Sequence, residues 1–167
     1  MINVYTISEI KKGIFYMRFF EPVKAEFRKH PNVELKAPKR ATKYSAGYDC
    51  YSPIDIEIAP QTSKLIWTDF KAKFNENEVM FIVVTSGMGK KGVMLANTIG
   101  VIDSDYYGNE STDGNLGFNL YNYGKEPYII KAGDKIGQAI FTNFLTVDNE
   151  EKVTAVRTGG FGSTVKN

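Results

Sequence analysis

Residues 54–60 read Ile-Asp-Ile-Glu-Ile-Ala-Pro. Isoleucine alternates with a carboxylate at a period of two, so in an extended chain Ile54, Ile56 and Ile58 share one face while Asp55 and Glu57 share the other. The pattern predicts a strand with one buried face, ended at Pro60. Outward from it, Leu65 to Phe74 shows a second, weaker alternation. Val79 to Val84 is a continuous apolar run closed by Thr85-Ser86-Gly87, as expected of a strand buried on both faces. Further short strands are expected at 93–95, 100–102, 117–123, 127–131, 136–144 and 152–156, separated by clusters of Gly, Asn, Asp and Pro. After residue 35 no stretch keeps a helical period over the length helices usually reach. The chain therefore reads as an all-β barrel or sandwich. A helix is expected near Pro22 to His30, with Pro22 at its start.

The 167 residues suit one domain with a real core. An apolar fraction of 43% and a charged fraction of 24% exclude disordered, collagenous and disulfide-scaffold classes. Twenty-one Lys and Arg against nineteen Asp and Glu leave a net charge of +2, which supplies no global field for nucleic acid or an anionic membrane. Neither partner is expected, and an anionic ligand must be held by a local cluster. Cys50 is the only cysteine, which excludes an internal disulfide and a multi-thiolate metal site and fits a reducing compartment, the cytoplasm. His30 is the only histidine, so no zinc site is expected. No segment approaches the ~20 apolar residues of a membrane span, and no targeting signal is read at the N-terminus. Met17 is a second plausible start, which makes residues 1–16 an added arm or an over-long reading. The chain divides into an N-terminal extension (1–35), a β-domain (36–148) and a C-terminal arm (149–167). The arm ends in RTGGFGSTVKN, too rich in Gly, Ser and Thr to pack alone. On composition it is a frayed terminus or a flexible lid.

Five segments carry more chemistry than ordinary turns: SAGYD (45–49), TSGMGKKG (85–92), ANTIGVIDSDYYG (96–108), AGDKIGQAIF (132–141) and RTGGFGST (157–164). In an extended strand Asp103 and Asp105 share a face, and an ionised carboxylate there can take a proton from water. Read alone, the pair is also compatible with solvated turn residues. The glycine-rich 85–92 offers backbone N–H groups, the Ser86 hydroxyl and cations at Lys90 and Lys91, all suited to a polyphosphate. Asn97 presents a donor and an acceptor, matching the N3–H and carbonyl pattern of uracil; as a lone residue it is equally a turn asparagine. Arg157 can pair bidentately with phosphate, Phe161 can stack on a base, and Ser163 and Thr164 can donate hydroxyls.

In their order and spacing these segments, from about Ala41 to Thr164, resemble the five motifs of the trimeric dUTPase family. The resemblance implies a distorted jelly-roll β-barrel with a flexible C-terminal arm. It also implies a homotrimer that hydrolyses dUTP to dUMP and pyrophosphate, with Mg²⁺ as cofactor and each site built from three subunits. It assigns Asp103 as general base for the water that attacks the α-phosphorus. Asn97 and the Gly100 to Asp103 hairpin would read uracil, Tyr106 would pack against the deoxyribose, and Phe161 would stack on the base. Phosphates would be held by Ser86, Gly87, Gln138, Arg157, Ser163 and Thr164, and Mg²⁺ by Asp49 through water. The sequence departs from the family at Thr85, where arginine is usual and its loss implies reduced activity, at Cys50 and Val165, in the spacing of Arg157 to Gly-Gly-Phe, and in a longer loop at Asn109 to Asn115. That loop is a candidate contact for a further protein partner. A dCTP deaminase, a nucleotide-gated regulatory binding protein and a purely structural β-protein are the alternatives.

Overall fold

Strand β7 (Glu78–Val83) forms the axis of the fold, and the residues described by the computed structural model are 17–155, 157 and 159. Its apolar run is flanked on both sides, by β9 (Gly100–Asp103) and by β12 (Lys135–Asn143). With β3 (Tyr48–Tyr51) and β2 (Lys39–Arg40) these make an antiparallel sheet in the order β2-β3-β12-β7-β9. A three-stranded sheet, β5 (Ser63–Trp67), β10 (Gly117–Asn122) and β8 (Val93–Leu95), faces it. Two pairs complete the body: β4 (Ile56–Ile58) with β11 (Tyr128–Ile130), and β1 (Phe19–Pro22) with β6 (Phe70–Lys73). The result is a jelly-roll-like β fold. Its core takes alternate residues from each sheet: Met80 and Ile82 from β7, Phe118 and Leu120 from β10, Ile58, Ile66 and Ile130 from the flanks. Cys50 is fully buried there, and burial followed by the Asp49 charge pushes its thiol up to about 12, so it is inert. Among the described residues no helix is long and apolar enough to cross a membrane.

Within 54–60 a strand forms over Ile56–Ile58 only, with Ile54 and Ile56 half-buried and Ile58 fully buried. Three expectations are corrected. The stretch 65–74 is two strands, because the chain turns at Asp69, whose φ is 57°. The buried Asp69 carboxylate accepts the N–H groups of Lys29 (2.9 Å) and His30 (2.8 Å) and an amide N–H of Asn115 (2.8 Å). Arg28 is extended and those bonds bend the chain at 29–30, so the expected helix at 22–30 shrinks to a 3₁₀ turn, Ala25–Phe27, and Pro22 closes β1 instead. The strand expected at 152–156 is absent over 152–155, where the chain is irregular and Val153 is 74% exposed, with no sheet edge to join. One element was not expected: a single-turn helix, α1 (Ser86–Lys90), inside the glycine-rich segment. Thr85 caps it by accepting the Met88 N–H, and Met88 is buried beneath it. Residues 17–35, read as an extension, supply β1 and bury Val23. The arm at 1–16, and Phe161, Ser163, Thr164 and Val165, lie outside the described residues.

Two buried carboxylates make the fold sensitive to acid. Burial raises the Glu78 carboxyl, but Arg18, whose Nε donates at 2.8 and 2.9 Å, and the Asn75 N–H outweigh it and hold it below its usual value. Asp113 is likewise raised by burial and lowered further by Lys71 and the Lys24 N–H. Both folded-state values are depressed, so the stabilisation is complete at neutral pH and is lost as pH falls below the unfolded carboxyl range, about pH 4. The urea midpoint should hold from pH 7 to 5 and fall steeply below about 4. Asp113→Asn should lower the plateau and flatten that fall. An unchanged profile in the variant would remove Asp113 from this role.

Candidate active site

A cavity of about 500 Å³ opens between the β9 hairpin, the 3₁₀ turn Ser104–Tyr106 and β10. Its lining includes Asn97, Gly100, Asp103, Tyr106, Asn119 and Arg157. Gly100 stands opposite Ile82, and a Cβ at Gly100 would lie 2.3 Å from the Ile82 Cγ1. The missing side chain at Gly100 leaves room for the Ile82 side chain on the neighbouring strand. Asn97 is exposed at the rim, and its amide makes no hydrogen bond among the described residues.

Asp103 ends β9 with its carboxylate half exposed. The expected extended run through Asp105 is broken, since Ser104–Tyr106 winds into a 3₁₀ turn. Both carboxylates nevertheless meet one guanidinium: Arg157 pairs with Asp103, and its Nε donates to Asp105 at 2.8 Å. The resemblance implies an arm that crosses to a neighbouring subunit. Here Arg157 rests on the carboxylates of its own chain, the nearest strong anionic partners. Tyr106 is 6% exposed, and its hydroxyl donates to the Asn115 carbonyl at 2.8 Å. Burial raises its phenol above the ordinary value, against opposing contributions from the Thr112 hydroxyl and the Arg157 charge.

The other predicted site residues gather elsewhere. Gln138 of β12 stands opposite Asp49 on one side and Val83 on the other. Its Oε1 lies 2.2 Å from where a Cβ on Gly47 would sit, so Gly47 is what admits the Gln138 side chain. Asp49 pairs with Lys135 at 2.6 Å, and that hydrogen bond holds the lysine above its usual pKa. Together with Lys36, Lys39, Arg40 and Asp134 they line a second cleft of about 560 Å³. Ser86 and Gly87 are exposed at the start of α1, just beyond β7, where a helix leaves its first N–H groups without intrahelical partners. Of the two lysines that follow, Lys91 lies 5.9 Å from the centre of the Tyr128 ring.

Asp103 stands opposite Val79, four residues along β7 from the Val83 row and three strands from Asp49. At ordinary strand spacing and rise that separates Asp103 from Asp49 by roughly 20 Å. One chain thus carries two separate clefts, one beside Asp103 and one beside Asp49.

Sequence reasoning missed Asn119. The only signal was a polar residue between Phe118 and Leu120, both fully buried, which sets its side chain on the opposite face of β10, toward the cavity. The network behind Tyr106 was also missed, because burial of Lys71 (5% exposed) and Asp113 (1% exposed) leaves no pattern in the sequence.

The profile of the family described as dUTPase matches residues 33–165. The chain is 39% identical over 138 residues to the deoxyuridine 5′-triphosphate nucleotidohydrolase of Lactococcus lactis, covering 81% of this chain and 92% of that protein. It is 37% identical over 147 residues to the enzyme of that name from avian adenovirus 8, covering 86% and 85% respectively. The crystal structure of dUTPase from Streptococcus mutans superposes with a TM-score of 0.66 at 32% identity, over 78% of this chain and 98% of that one.

Proposed function

This chain belongs to the dUTPase family and hydrolyses dUTP, and from that premise we propose a division of labour among its residues. Asp103 is the general base. It orients a water and takes its proton as the oxygen bonds to the α-phosphorus; the bond from that phosphorus to the bridging oxygen breaks, and dUMP and pyrophosphate leave. The observation that carries this reading is the placement of Asp103, Tyr106 and the unpartnered Asn97 amide around one cavity. The base is read by the Asn97 amide and by peptide groups of the Gly100 to Asp103 hairpin. That backbone leaves no room for a 5-methyl group. The Tyr106 ring fills the space a 2′-hydroxyl would need, and Phe161 covers the base. Arg157, which lies beside Asp103 of its own chain, leaves that carboxylate when the arm crosses to a neighbouring subunit's site, where it meets phosphate. Ser86, Gly87, Gln138, Ser163 and Thr164 hold phosphate oxygens.

The residues present fit Mg²⁺ held through water. Asp49 is an oxygen donor in a cleft rimmed by four cations that favour a polyphosphate, and among the described residues no three potential ligands converge. Such a site holds a metal that arrives with the triphosphate; when bound, Mg²⁺ neutralises phosphate charge. The separation of the two half-sites in one chain supports the trimer: the cavity of one subunit is completed by the Asp49–Gln138–Ser86 region of a second and the arm of a third.

Pyrophosphate release measured with dUTP, dTTP, dCTP and UTP, with and without Mg²⁺, tests the reading. Release from dUTP alone, abolished by chelator, is the expected result. Comparable release from dTTP or UTP would exclude the roles given to the hairpin or to Tyr106, and ammonia from dCTP would indicate a deaminase.

A further inference from the structure

The loop at 109–115 turns Asn109, Asp113 and Asn115 inward and leaves Glu110 and Ser111 exposed. The Asn109 Oδ1 accepts the N–H groups of Ser111 (3.1 Å) and Thr112 (3.0 Å), while its Nδ2 donates to the Tyr106 carbonyl at 2.7 Å. The Tyr106 hydroxyl gives its proton to the Asn115 carbonyl, so only its lone pairs face Thr112; the one Thr112 hydroxyl proton has two acceptors at 3.2 Å, this phenol oxygen and the Asn109 Oδ1, and the second already takes three donors, which leaves the proton for Tyr106. Asp113 and Gly114 have φ of 55° and 86°, and a Cβ on Gly114 would come within 2.9 Å of the Tyr106 carbonyl oxygen. Behind the loop, Asp113 accepts from Lys71 Nζ and from the Lys24 N–H, both at 2.8 Å. The loop is thereby tied to β6 and to the segment after β1, and the phenol end of Tyr106 is tied to the loop.

We propose that Thr112, backed by the buried Asp113–Lys71 pair, is a positioning residue that fixes the Tyr106 ring and so sets discrimination between 2′-deoxyribo- and ribonucleoside triphosphates. The proposal rests on reading Tyr106 as the wall against the sugar. A wall that excludes one oxygen atom works only if it does not yield. The two hydrogen bonds at the phenol end stop the ring from tilting away from a 2′-hydroxyl. A loop with only a structural role would contribute to stability and leave selectivity untouched.

The test measures kcat/KM for dUTP and for UTP in the full-length protein and in Thr112→Val, Thr112→Ser, Tyr106→Phe and the Thr112→Val/Tyr106→Phe double variant. Thr112→Val keeps the shape and removes one hydroxyl, which avoids the folding risk of cutting the Asp113–Lys71 pair. Loss of one such hydrogen bond should lower the dUTP-to-UTP preference by about 3–10-fold. Thr112→Ser should restore it, and in the Tyr106→Phe background Thr112→Val should have no further effect. A preference unchanged by Thr112→Val, or reduced equally with and without the Tyr106 hydroxyl, overturns the proposal. A starting protein that does not discriminate against UTP overturns the reading of Tyr106 itself, and the proposal with it.

Discussion

Asp103→Asn is expected to lower turnover of dUTP by about 10²–10⁴-fold, the range for a lost general base, while the protein still folds and still binds nucleotide. The side chain is 52% exposed at the end of β9, and the ladder it belongs to is held by backbone bonds to β7. Asparagine keeps the shape and can still orient a water, but it cannot take the proton. One charge is also removed from beside the incoming triphosphate, and Arg157 loses one of its two carboxylate partners, so affinity for a non-hydrolysable dUTP analogue should hold or rise. Single-turnover rates, analogue binding and a melting curve separate these effects. Wild-type turnover in the variant would take the base away from Asp103. Mixing this variant with Asp49→Asn adds a test of the shared site. If each site draws Asp103 and Asp49 from different subunits, hybrids of two inactive proteins recover measurable activity. A mixture as inactive as its components would place both residues in one chain's site.

Thr85→Arg should raise the single-turnover rate at saturating dUTP, by up to about 10²–10³-fold, with a much smaller change in affinity. Transfer at phosphorus depends on positioning and on cations that stabilise charge on the phosphates, and the resemblance to the family implies an arginine where Thr85 stands. The structure shows what Thr85 does instead: its hydroxyl turns back to cap α1, accepting the Met88 N–H at 3.4 Å. The gain in rate should therefore come with a loss of about 1 kcal/mol of stability, or some 2–4 °C in Tm for a chain of this size. Equal rates with that same loss would show that the phosphate charge is handled by the lysines and arginine of the Asp49 cleft. In that case slow turnover and a nucleotide-gated regulatory role lose their one support.

Much of the fold was legible because its cues are local. The alternation at 54–60, the apolar run at 79–84 and the strands at 93–95 and 117–123 each carry their own period, and the turns between them carry their own Gly, Asn and Asp. The proposed site residues came from a different kind of cue: a carboxylate, an amide and a glycine mean little at single positions, and took roles only from the order of the five segments. What failed involved partners far away in the chain. Asp69 unwinds the expected helix by taking the N–H groups of residues 39 and 40 positions earlier.

By itself, then, the sequence determined the all-β class and most strand positions, and its five ordered segments pointed to the family. Tertiary structure alone decided that 65–74 breaks in two, that the 109–115 loop turns inward to hold Tyr106, that Arg157 lies on Asp103 and Asp105, and that Asp49 and Asp103 fall far apart within one chain. The physical reason is that periodicity and turn chemistry act within a few residues. A buried carboxylate must instead find its donors wherever the fold brings them, and no pattern along the chain records that meeting.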